Sequence, residues 1–72
     1  MLFSKLRALR KQIAERDDVA PFVVFSDATL IAMSQQMPQN QSEFLAVSGV
    51  GQTKLSRYGD DFLDLIAEYL DS

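Results

Sequence analysis

Apolar residues recur at helical spacing from the start of the chain. Leu2, Leu6, Leu9 and Ile13 stand three or four positions apart. At about 100° per residue they share one helix face, which predicts a first helix from Met1 to about Arg16. Arg7 and Lys11 fall on the opposite face, with Lys5 and Arg10 at its flanks. Asp17-Asp18 ends the periodicity. Val19 to Phe25 is an apolar connector containing Pro21. Its Val-Val-Phe has strand propensity, but the chain offers no second strand to pair with it. Ala20 is pushed toward extended geometry by the proline that follows. The expectation is an extended segment laid on the core, with Phe25 buried and Phe22 free to be exposed.

Ser26 reads as the N-cap of a second helix with Asp27 in its first turn. Leu30, Ile31, Met33 and Met37 supply its buried face, and Pro38 stops it. Asn40 or Ser42 caps a short third helix reaching about Val47. Ser48-Gly49-Val50-Gly51 breaks the pattern. A fourth helix then runs from about Gln52 to Tyr58, ended by Gly59 in the left-handed conformation. A fifth runs from about Asp60 to Leu70. It groups Phe62, Leu63, Leu65, Ile66, Tyr69 and Leu70 opposite Asp60, Asp61, Asp64, Glu68 and Asp71. Five short helices, the longest about four turns, predict an all-α, compact orthogonal bundle. Its Gly-x-Gly turn is of the helix–hairpin–helix kind.

Composition narrows the chemistry. The 72 residues suffice for one domain with one core. Neither histidine nor cysteine occurs, which removes zinc sites, thiol nucleophiles and Ser–His relays. No phosphate-cradling glycine loop is present. We therefore expect a domain that binds or docks and does not catalyse, with no cofactor and no metal. No apolar run approaches the roughly 18 residues of a membrane span, and no signal peptide is evident. The lack of cysteine suits a reducing cytoplasm. A monomer is expected.

Net charge is −3, but the charges are segregated. Lys5, Arg7, Arg10, Lys11 and Arg16 put +5 into the first sixteen residues against −1 from Glu15. The final thirteen residues carry five acids and no base. Such asymmetry suggests a basic binding face at one end. Three candidates follow. In the first, the free N–H groups after Gly49-Val50-Gly51 could attract a phosphate, helped by Lys54 and Arg57; a plain turn between packed helices explains the same residues. In the second, Arg7 and Lys11 could track a phosphate backbone, or form a solvated face partly paired through Lys11–Glu15. In the third, Phe22 could stack on a base, or belong to the core. Asp60, Asp64 and Glu68 form either a solubilising face or a docking surface for a basic partner.

The blocks Leu2-Phe3-x-x-Leu6-Arg7-x-Leu9-Arg10-Lys11-x-Ile13-Ala14, Pro21-Phe22-Val23-Val24-Phe25-Ser26-Asp27-Ala28-Thr29-Leu30, Met37-Pro38 and Gly49-Val50-Gly51-x-x-Lys54-Leu55-x-Arg57-Tyr58-Gly59 together resemble the HRDC ("helicase and RNase D C-terminal") domain over nearly the whole chain. Their phrasing is most like that of bacterial RecQ helicases, with RNase D exonucleases second. The resemblance implies a five-helix bundle spanning residues 1–72, taken from the C-terminal region of a larger helicase. It implies an auxiliary module that binds single-stranded or branched DNA in repair and recombination, with ATP hydrolysis elsewhere in the parent. Its family contact position falls on Phe22, where many relatives have tyrosine. Ser26 stands where many have asparagine, and Thr53 where relatives often carry a base. The alternative is a regulatory, protein-docking copy of the module. The implied site comprises Phe22, Ser26, Gly49, Gly51, Lys54, Arg57, Arg7 and Lys11, with Asp60, Asp64 and Glu68 for docking.

Overall fold

The computed structural model describes residues 1–72. Five helices follow in order: α1 (Leu2–Asp17), α2 (Pro21–Val24), α3 (Asp27–Gln36), α4 (Gln41–Leu45) and α5 (Gln52–Asp71). There is no strand.

The apolar stripe of α1 buries Leu2, Leu6, Ile13 and Ala14. Asp18 ends the helix in the left-handed region at φ 55°. The Val19 N–H bonds back to the Ala14 carbonyl at 3.0 Å, closing the last turn. Aspartate tolerates this conformation less well than glycine does. Asp18→Gly should therefore raise stability by about 0.5–1 kcal/mol, the relief being partly offset by a freer unfolded chain. Urea unfolding of the two proteins measures it. An unchanged or lower midpoint would show that the left-handed cap carries no strain.

The connector is where expectation and structure first differ. Pro21 to Val24 forms one helical turn and not an extended segment. Pro21 occupies the first turn, where its fixed φ is already helical and its missing N–H is not needed. The extended residues are those flanking the turn, Ala20 at ψ 148° and Phe25 at φ −151°. The turn points Val24 and Phe25 inward and leaves Phe22 and Val23 exposed.

Ser26 does cap α3, its Oγ accepting from the Thr29 N–H at 3.2 Å. Leu30 and Met33 are buried, whereas Ile31 is exposed. The helix ends at Gln36, and Met37 takes the left-handed position before buried Pro38. Asn40, not Ser42, caps α4. Its Oδ1 accepts from the Glu43 N–H at 2.8 Å while the Glu43 carboxylate accepts from the Gln39 N–H at 2.9 Å. This reciprocal arrangement satisfies two otherwise open donors at the start of a very short helix.

The expected fourth and fifth helices are one. α5 runs unbroken for 20 residues, more than five turns, so the longest helix exceeds the four turns expected. Gly59 lies inside it, buried, and does not end it. The cause is the apolar spacing. Leu55, Tyr58, Phe62, Ile66 and Tyr69 keep three- and four-residue intervals straight through Gly59. Gly59 falls on that inward face, and a Cβ there would meet the Leu55 Cδ1 at 2.7 Å.

Phe25 is the hub of the core. Its ring makes edge contacts with Phe44, Tyr58 and Phe62 at centroid distances of 6.0, 6.0 and 5.1 Å. Leu6, Leu30, Met33 and Ile66 complete the interior. α5 runs back antiparallel along α1. Arg16 near the end of α1 reaches Asp61 at 3.8 Å, and Lys5 near its start shares a surface hollow with Glu68 and Tyr69.

Candidate nucleic-acid interface

Chain reversal after α4 depends on Gly49, which sits at φ +91°. Its backbone rests directly on α3: a Cβ here would lie 2.1 Å from the Thr29 Oγ1. Thr29 is buried, and its hydroxyl hydrogen-bonds with the Ser26 Oγ at 3.1 Å. Ser26 and Gly49 thus meet at Thr29, the one through its hydroxyl and the other through its backbone, while both residues stay exposed. Gly51 differs. It is the N-cap residue of α5, has extended φ, contributes no side-chain cap, and has open space beside its Cα. No side chain of the chain closes the positive end of α5, whose first N–H groups lack helical partners.

The seven cations divide sharply. Only Arg10 and Arg16 form ion pairs. Spacing puts Arg10 on the basic flank of α1, yet it is only 8% exposed. It donates to the Phe25 carbonyl at 3.0 Å and pairs with Asp27 at 2.8 Å. Its charge is compensated, so it adds little to the outer field. Arg16 is held by Asp17, whose hydrogen bond and charge push the guanidinium pKa further above its ordinary value. Lys5, Arg7, Lys11, Lys54 and Arg57 have no carboxylate partner. The Lys11–Glu15 pair expected from spacing does not form.

Arg7 and Lys11 line an open groove of about 400 Å³ together with Ser4, Ala8, Arg10 and Pro21. The Arg7 guanidinium lies over the Phe3 ring at 5.9 Å, which restricts its freedom. The far wall of this groove is the start of α2. The next residue, Phe22, holds its ring 71% exposed, a large apolar surface to leave in water. The other side of α2 meets α5: the Lys54 Nζ donates to the Val23 carbonyl at 2.9 Å and stands 5.6 Å from the Phe25 ring centroid. The short helix is therefore a ridge, with the basic groove of α1 on one side and the open end of α5 on the other. Arg57 lies further along α5, exposed, on its solvent face.

The structure thus gathers Arg7, Lys11, Phe22 and Lys54 around α2. Ser26 and Gly49, both exposed, sit together at Thr29 near the start of α3. Asp60, Asp64 and Glu68 are exposed on the later turns of α5 and make no ion pair. Sequence spacing misses the inward turn of Arg10 and the attachment of Lys54 to Val23. A signal for Arg10 is present: it lies four residues after Leu6 and three before Ile13, on the edge of the buried stripe. No spacing rule places Lys54, because its partner is thirty-one residues away. No group of acidic residues is placed to hold a metal, and no helix is long and apolar enough to cross a membrane.

The HRDC domain family model matches residues 1–66. The chain is 50% identical over 68 residues to the ATP-dependent DNA helicase RecQ of Haemophilus influenzae, covering 94% of this chain and 11% of that protein. It is also 50% identical over 68 residues to the ATP-dependent DNA helicase RecQ of Bacillus subtilis, covering 94% of this chain and 12% of that one. Among solved structures, D. radiodurans RecQ HRDC domain 3 superposes with a TM-score of 0.95 at 35% identity, covering 99% of this chain and 93% of that one. The chain spans about a ninth of the length of these curated helicases.

Proposed function

The chain belongs to the HRDC domain family, and from that premise we propose that it is an auxiliary nucleic-acid-binding module of a RecQ-type ATP-dependent DNA helicase acting in the cytoplasm on single-stranded or branched DNA. In this role it contributes grip and orientation, not catalysis; ATP hydrolysis belongs to other domains of the parent, in repair and recombination. It works as a monomeric unit without cofactor or metal.

The exposed Phe22 ring beside a groove of uncompensated cations carries the proposal. A base stacked on an aromatic side chain contributes about 1–3 kcal/mol and shows little sequence preference. Arg7 and Lys11 flank the ridge on one side to hold phosphates, and Arg57 with the open N–H groups after Gly51 extends the track on the other. Phosphates bound there displace counterions, so affinity falls with salt. With two or three phosphates neutralised, a plot of log K against log salt should have a slope of roughly −1.5 to −2 on single strands. Fluorescence anisotropy of a labelled oligonucleotide at two or more salt concentrations measures the slope. Absence of binding at low salt, even near millimolar protein, would sink the proposal.

A second reading rests on the exposed, unpaired Asp60, Asp64 and Glu68. They suit a basic surface on another domain of the parent, making the module regulatory and its DNA contact weak.

A further inference from the structure

Arg10 and Lys54 are both bound to the chain itself, at the same place. α2 has only four residues, too few to persist alone. The carbonyls at its exit, Val23 and Phe25, lie beyond the reach of further helical N–H donors. Lys54 takes the Val23 carbonyl at 2.9 Å from α5, and Arg10 takes the Phe25 carbonyl at 3.0 Å from α1. Each cation has a second anchor: the Phe25 ring for Lys54 and the Asp27 carboxylate for Arg10. One positive group from each long helix thus grips the negative end of the ridge that bears Phe22, and cations at a helix C-terminus are electrostatically favoured.

We infer that Lys54 and Arg10 are positioning residues for the nucleic-acid contact: they clamp α2 between α1 and α5 so that the Phe22 ring is held outward, and they do not themselves bind phosphate. This rests on the proposed function for its consequence, though the clamp exists without DNA. Lys54 is the better of the two to test, since it is only half-buried, whereas Arg10 is itself buried at the edge of the core and its truncation would also leave a void.

The experiment compares the wild type with Lys54→Met, Lys54→Arg, Phe22→Ala, Lys11→Met and the Phe22→Ala/Lys54→Met double variant. In the free proteins, amide exchange at Val23 and Phe25 should quicken about tenfold in Lys54→Met, the order set by losing one hydrogen bond from a charged donor. Lys54→Arg, which keeps an N–H donor, should restore most of the protection. With a single-stranded oligonucleotide, Lys54→Met should weaken binding severalfold while leaving the salt slope unchanged. Lys11→Met should flatten that slope by about 0.7, one phosphate's worth. In the Phe22→Ala background, Lys54→Met should add less than about twofold, because residues acting through one another are not additive.

A slope flattened by Lys54→Met, with exchange unchanged, makes Lys54 a phosphate contact and overturns the inference. Additive losses in the double variant also overturn it. If the wild type binds no oligonucleotide, the proposed function fails and the positioning role falls with it, while the exchange rates still decide whether the clamp holds α2.

Discussion

Phe25→Ala should lower the melting temperature of the domain by more than about ten degrees. The residue joins the connector to the core and is buried to 1% exposure. Three aromatic rings, from α4 and α5, meet its ring edge-on, and the Lys54 ammonium lies 5.6 Å from its centroid. Truncating a buried phenylalanine costs about 3–5 kcal/mol. A domain of this size has roughly 4–11 kcal/mol in total, at the usual stability per residue. The loss is then about a quarter of the stability at least and all of it at most. Phe22→Ala provides the contrast. Its ring already faces water, so its removal should change stability by no more than about 0.5 kcal/mol. Thermal melts followed by circular dichroism compare the two. A Phe25→Ala protein melting within a few degrees of wild type would mean that the aromatic cluster does not hold the core together.

Gly49→Ala should be the most damaging change outside the aromatic cluster, whereas Gly51→Ala should be mild. At Gly49 two costs coincide. A Cβ would stand 2.1 Å from the Thr29 Oγ1, which forces the turn away from α3, and overpacking of this kind costs about 1–3 kcal/mol. The φ of +91° adds about 1–2 kcal/mol for any residue with a side chain. At roughly 4–8 °C per kcal/mol for a small domain, the melting temperature should fall by about ten degrees or more. At Gly51 the backbone is extended, and a methyl group there would have no atom within 4 Å. Alanine is only a poorer N-cap there, worth under about 1 kcal/mol. Equal melting temperatures for the two variants would contradict the asymmetry of the turn.

Much of the fold is legible in the residues because its determinants are local. The α1 stripe, the Ser26 cap and the Asn40 cap each depend on partners within four positions. The same holds for the stop before Pro38. Gly59 misleads because glycine so often terminates a helix, while the continuous Leu55–Tyr58–Phe62–Ile66 spacing across it is the stronger signal. α2 misleads because one turn is too short to display a period, and the residue before a proline does suggest extension. The basic groove is half visible. Arg7 and Lys11 follow from periodicity, but the roles of Arg10 and Lys54 depend on carbonyls fifteen and thirty-one residues away. Such long-range hydrogen bonds exist only once the bundle has closed. Phe22, Arg7 and Lys11 are exposed beside the ridge, and Ser26 and Gly49, exposed too, are tied to Thr29 at the start of α3.

Backbone amide chemical shifts during titration with a short single-stranded oligonucleotide test the central claim most directly. The nucleic-acid face is predicted to be the α2 ridge and its flanks. The largest shifts should then fall on Phe22 and Val23, on Arg7 and Lys11 of α1, and on Gly51 to Thr53 at the start of α5. They should diminish on addition of salt. Shifts confined to Asp60, Asp64 and Glu68, or no shifts at all at low salt, would contradict it.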